Sequence, residues 1–255
     1  MMIRNNSWGF RAPAMGALAA IAAAVVLALA PAVCKPAFAA PADQNAPLFE
    51  QPPAGTPNFT GKWINPKPAI PLRTAEGKAP PLNAAGKAEY EKRQAALKSG
   101  DHKIDPISSC LMHGVPRLLY TPLPFLILQT TRNVNFVHEA NHTFRNIYWD
   151  KAPGEDQDPD PTYLGASIAH FEGKTLVIDS SAFNDLTWLD YSGLPHGEKL
   201  QVQERYTLSD PSTIRASVTI TDPDYYTAPW TTRLTLKHMP GMALRENVCM
   251  DTHRM

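Results

Sequence analysis

His138-Glu139-Ala140-Asn141-His142 matches the spacing H-E-x-x-H. On a helix, that spacing sets two imidazoles one turn apart to bind zinc, and the Glu activates the metal-bound water. The flanks argue against a helix. Val134-Asn135-Phe136-Val137 precedes the match and Thr143-Phe144-Arg145-Asn146-Ile147-Tyr148-Trp149 follows it, and both runs are β-formers. Glu-Ala-Asn-His between them reads as a hairpin connection, in which helical geometry is lost. A zinc metalloprotease is therefore the third functional reading.

A second set of candidates comes from strand alternation, because side chains two apart share a face. Leu200, Val202, Glu204 and Tyr206 form one mostly apolar face, which predicts an inward Glu204. The same reasoning places His170 inward with Ala166 and Ile168, and Asp179 inward with Val177, although Ile178 on the opposite face makes that strand ambiguous. A buried carboxylate needs a partner, a hydrogen bond or water. His170, Asp179 and Glu204 together would form a polar cluster able to tune pKa values for proton transfer, with Arg145 or Arg117 steadying negative charge. The plainer alternative is a satisfied polar network that only holds strand register.

A third concentration is the stretch Ala182–Gly197, with Asn184, Asp185, Trp188 and His196 between two strands. Trp188 offers a stacking face and the others offer oriented hydrogen bonds. Loops on a rigid sheet commonly carry binding groups. The same Asn and Asp residues could instead cap their own backbone. The acidic run Glu155–Asp160 lacks the Gly and closing Glu of a helix-loop-helix calcium site and reads as a solvated loop. Asn58-Phe59-Thr60 and Asn141-His142-Thr143 fit the glycosylation sequon, which matters only in a host that glycosylates. No G-x-S-x-G, phosphate-cradling or dinucleotide motif is present, so no cofactor is expected.

The elements that must position these residues are short strands. Phe125–Thr131, Asn133–Glu139, Thr143–Trp149, Gly165–Phe171, Thr175–Ser181, Leu200–Leu208, Thr213–Thr221, Thr231–Lys237 and Leu244–Met250 alternate with turn residues at roughly ten-residue spacing. Asn58–Trp63 leads into one further strand. Leu82–Lys98 is the one good helical stretch, with Gly86 as its weak point and Ser99-Gly100 as its stop. This pattern predicts an all-β fold, an antiparallel barrel of about nine strands.

The 25 Pro against 14 Gly disfavour a helical bundle, and the balance of 24 basic and 24 acidic residues disfavours nucleic-acid binding. Arg4 and Arg11 precede an apolar run from Met15 to Ala30 and then Ala37-Phe38-Ala39, the form of a cleaved secretory signal over residues 1–39. The run is short for a membrane span, so none is expected after cleavage. Residues 40–105 read as a Pro-rich arm carrying the helix, and 106–255 as the barrel. Cleavage removes Cys34 and leaves Cys110 and Cys249, which in an oxidising compartment point to a disulfide. A bond closing so long a loop would contribute about 4–5 kcal/mol on the chain-entropy model. Two separate buried thiols are the alternative.

Gly61-Lys62-Trp63 resembles the G-x-W that opens lipocalin-like barrels. Ala169-His170-Phe171-Glu172-Gly173-Lys174-Thr175-Leu176-Val177-Ile178-Asp179 continues to Phe183-Asn184-Asp185, Thr187-Trp188-Leu189-Asp190, Pro195-His196 and Glu204-Arg205. Together with Cys110, Gly114-Val115-Pro116-Arg117 and Asn141-His142-Thr143-Phe144-Arg145, this pattern resembles a widespread family of secreted bacterial proteins without an established general activity. The resemblance spans roughly residues 58–250. The family usually has Asp where Lys174 stands and Ser where Gly197 stands, and it does not usually have His at 138. The resemblance supports the site residues and implies no particular reaction.

The expectation is thus a periplasmic or secreted lipocalin-like barrel with a small, largely apolar or aromatic molecule inside. Arg117, His142, Arg145, Asn184, Asp185, Trp188 and His196 would bind it. His170, Asp179 and Glu204 would act on it as a cofactor-independent lyase, isomerase or hydrolase. The alternative is a carrier with the same pocket and no turnover. Oligomeric state is left open.

Overall fold

The computed structural model describes residues 55–149 and 159–249. The secretory-signal segment, most of the acidic run and Met250 lie outside the described residues.

Nine strands close into a barrel in chain order: β1 (Gly61–Ile64), β2 (Phe125–Gln129), β3 (Asn133–His138), β4 (Phe144–Trp149), β5 (Ala166–Glu172), β6 (Thr175–Ser181), β7 (Gln201–Asp210), β8 (Thr213–Thr221) and β9 (Trp230–His238). Every neighbouring pair is antiparallel except β4–β5, which is parallel, with Tyr148 opposite Ile168. A parallel pair needs a crossover rather than a tight hairpin. The barrel is therefore mixed rather than wholly antiparallel.

Closure depends on β1, where Trp63 pairs with Phe125 on one side and with His238 on the other. The barrel therefore recruits a strand from the segment read as an arm, and its wall begins well before residue 106. Leu244–Met250, read as a strand, forms no strand among its described residues. With β1 already pairing β9 and β2, the ring has no free edge for that segment to join.

On β3, β7 and most of β8 the inner face follows alternation. Val134, Phe136 and His138 point inward from β3, Val202, Glu204 and Tyr206 from β7, and Ile214, Ala216, Val218 and Ile220 from β8. Aromatic pairs fill the middle, where Phe125 stacks on Phe136 at 5.8 Å and Phe136 packs on Tyr206 at 5.7 Å, while half-buried Trp149 stacks on Phe171 at 5.3 Å toward one end. One end is closed by Phe59, whose N–H donates to Gln129 Oε1 at 3.0 Å.

The other end is roofed by the long β1–β2 connection and the β6–β7 and β8–β9 loops. Leu118, Leu119 and Tyr120 are buried there, and Tyr120 Oη donates to Thr232 Oγ1 inside the barrel at 3.1 Å. The roof's helix α1 (Ala84–Lys98) begins at Asn83, whose side chain accepts from Gly86 N at 2.9 Å. Gly86, read as the weak point of the helix, is its closest docking point, since a Cβ there would strike Tyr225 O. The observed helix agrees with the sequence reading to within two residues at its start.

Candidate functional site

Arg145 on β4 and Glu204 on β7 meet within the barrel as a two-pronged ion pair. Nη2 stands 2.7 Å from Oε2 and Nη1 stands 3.2 Å from Oε1. Tyr206 Oη donates to Oε1 at 2.7 Å, and Ser167 and Ser180 lie 3.4 Å from Nη2. Both charged residues are almost fully buried. Burial by itself would lower the pKa of Arg145, but the adjacent Glu204 charge outweighs it and raises the pKa. Burial and then the same carboxylate push Tyr206 well above its ordinary value. This network is paired, hydrogen-bonded and shielded from water, so it fits register-holding better than proton transfer.

His170 and Asp179 are not part of it. Both lie on the outer wall, where about two-fifths of each side chain is exposed, with His170 Nδ1 3.8 Å from Asp179 Oδ2. His170 also faces Glu172 at 3.5 Å, and Gln203 donates to Asp179 at 2.9 Å. The expectation of an inward His170 fails because β5 buries its other face. Ser167 there reaches Arg145, and Phe171 stacks with Trp149 and Phe59. Burying Phe171 removes more apolar area than burying Ile168, which is left 39% exposed. On β6, Ile178 turns in and Asp179 turns out, since Ile178 pairs with Glu204 and shares its face.

The H-E-x-x-H residues disperse. His138 points inward, stacked 4.9 Å from Phe125, while Glu139 accepts a hydrogen bond from Arg245 N at 2.9 Å. Asn141 and His142 both have left-handed φ, so the motif runs from a strand end into a kinked 3-10 turn (Ala140–His142) and not along an α-helix. His142 Nε2 accepts from Asn247 N at 3.3 Å. The side chains serve three different neighbours and do not converge.

The loop residues are also engaged within the protein. Trp188, read as a ligand platform, is buried between the guanidinium groups of Arg93 and Arg117, at 5.1 and 5.7 Å. His196 accepts from Thr187 Oγ1 through Nε2 at 2.7 Å and donates through Nδ1 to Gly197 O at 3.2 Å. Burial lowers its pKa. Asn184 Oδ1 accepts from Leu186 N, and Asp185 is exposed. Asp190, absent from the sequence-based site, is the loop's anchor: it accepts from the amides of Leu72, Ser192 and Leu194.

Arg117 leads to a different site. It is buried, pairs with Asp105 at 2.9 and 2.6 Å, and lies 4.0 Å over the ring of Tyr191. Tyr191 Oη donates to Thr121 Oγ1 at 2.9 Å, because that hydroxyl already donates to Arg117 O. Gly114 holds the approach, with φ +73 and no room for a Cβ against Thr187. Around this scaffold lies a cleft of about 460 Å³ beside the roofed end, walled by Asp105, Ile107, His113, Tyr191, Asn247 and Cys249.

His113 packs edge-on against Tyr191 at 6.2 Å, and its Nδ1 is buried without a hydrogen-bond partner. Burial, aided by the Arg117 charge, lowers its pKa to about 4, so it is neutral at pH 7. Asp105, His113 and Tyr191 were missed as site residues. The only signal was their nearness in sequence to Arg117 and Trp188. A second concavity, of about 580 Å³, lies on the outer wall over Ile168, Asp179 and Gln203.

Cys110 and Cys249 form the expected disulfide, with Cα atoms 5.5 Å apart. Among the described residues, no helix is long and apolar enough to cross a membrane. Comparison of the chain with family models, curated proteins and solved structures finds no match.

Proposed function

We propose that this protein is a small-molecule binding barrel whose ligand occupies the cleft between His113 and Tyr191. The single observation that carries the reading is His113, an imidazole packed edge-on against Tyr191 in the wall of a cleft sized for a small molecule. Its chemistry narrows the ligand. Asp105 is engaged by Arg117 through both oxygens and His113 is neutral, so the buried side of the cleft offers no free charge to an ion, while His102 stands at its exposed side. A neutral molecule with an apolar or aromatic body and one polar group fits best.

Binding is favoured over acid–base turnover because the sheet separates His170 and Asp179 from Glu204. Glu204 is itself held by Arg145 and Tyr206. The disulfide and the N-terminal apolar run both support a periplasmic or secreted location.

The test uses N-phenyl-1-naphthylamine, a neutral arene with one N–H donor whose fluorescence rises in apolar surroundings. Saturable one-to-one binding is expected, weakened about tenfold by His113→Leu through loss of one desolvated hydrogen bond. Absence of saturable binding to the native protein, or equal affinity in His113→Leu and Tyr191→Ala, would overturn the proposal.

A further inference from the structure

One wall of the cleft is a segment that holds no place in the barrel. After β9 the chain passes β1, where Lys62 Nζ donates to Met242 O, and continues without regular structure to Cys249. Arg245 N donates to Glu139 Oε2 at 2.9 Å, Asn141 N to Asn247 Oδ1 at 3.3 Å, and Asn247 N to His142 Nε2 at 3.3 Å. All three bonds are part-buried or exposed, where water competes with them. The covalent tie is Cys110–Cys249.

The position of that tie links it to the cleft. Asn247 and Cys249 line one side, and Ile107 and Ser108, next to Cys110, line another. The disulfide therefore clips one wall of the cleft to a second. Both cysteines are half-buried. While the bond holds, the tail remains at high local concentration beside Glu139–His142, and its weak hydrogen bonds persist.

We infer that Cys110–Cys249 is a redox-operated latch on the ligand cleft, an inference that rests on the binding reading above. An external dithiol supplies two electrons and two protons. One of its thiolates attacks a sulfur of the pair and releases the other cysteine, and its second thiol resolves the mixed disulfide. The products are two cysteine thiols here and one disulfide in the reductant. The tail then leaves the cleft and its ligand escapes.

The experiment compares the full chain oxidised, reduced with dithiothreitol, and as the Cys110→Ser/Cys249→Ser variant. The backbone amides of Asn141, Arg245 and Asn247 report tail docking by hydrogen exchange, independently of any ligand. Their protection should fall about tenfold without the bond, while β7 and β8 amides keep theirs. Dissociation of N-phenyl-1-naphthylamine should accelerate about tenfold in parallel.

Unchanged protection at the three amides would overturn the latch. So would loss of protection across β7 and β8, which would make the bond a general fold constraint. Freed amides with unchanged dye dissociation would show that the tail moves without gating the cleft, which also overturns it. If the oxidised protein does not bind the dye, the binding reading fails, and the exchange data still report whether the tail is released.

Discussion

Arg145 and Glu204 close a 2.7 Å ion pair across the barrel interior, although β5 and β6 separate their strands around the wall. Ser167 and Ser180, from those two intervening strands, bond each other at 2.7 Å and complete the ring around the guanidinium. One buried cluster thus ties four neighbouring strands. That arrangement can be tested separately from any ligand.

Breaking the pair on one side strands a buried charge. Arg145→Met should cost about 3–5 kcal/mol, because Glu204 then has only Tyr206 as a close partner. Pairing it with Glu204→Leu should recover most of that loss, since an apolar pair needs no solvation. Urea denaturation of the two single variants and the double variant measures the coupling. Simple addition of the single losses would show that the pair does not act as a unit.

Acid should destabilise the fold through its buried histidines. Burial, aided by nearby positive charge, lowers His113 to about 4 and His138 to about 3. Below the unfolded histidine pKa of about 6.5, the unfolded chain binds protons that the folded chain refuses, so stability falls as pH falls. Each group should remove about 2 kcal/mol by pH 5. The loss continues down to its folded pKa and then stops. His138→Phe should stack equally well between Phe125 and Phe136 and remove the unpartnered Nε2. Its stability curve between pH 7 and pH 5 should therefore be shallower by about 2 kcal/mol. A slope equal to that of the unmodified protein would refute the assignment.

The outer-wall cluster should behave in the opposite way. Beside His170, Glu172 and Arg205 form an exposed ion pair, which water and salt weaken. His170→Ala should change stability by less than about 0.5 kcal/mol and leave binding of the naphthylamine dye unchanged. Loss of binding in that variant would move the functional site to the outer wall.

The amino-acid order alone determined the β architecture, the helix, the cysteine pair and the inward position of Glu204. Each depends on local periodicity, propensity or simple counting. Val202 and Tyr206 flank Glu204 on a face with no apolar rival, so its direction was readable. For β5, the alternatives Ala166-Ile168-His170 and Ser167-Ala169-Phe171 differ little in apolar content. Only the neighbours Trp149, Phe59 and Arg145 select the second. The ring is completed by β1 rather than Leu244–Met250, because its pairing with β2 spans the whole roof connection, a long-range choice that local pattern does not encode. Trp188 and His196 were recognisable as functional side-chain types. The guanidinium groups of Arg93 and Arg117 and the hydroxyl of Thr187, brought in by folding, turned them into parts of the scaffold. The cleft at His113 is also a product of tertiary structure. Its walls come from the roof, the β6–β7 loop and the tail, segments far apart in the chain that meet only when the barrel closes.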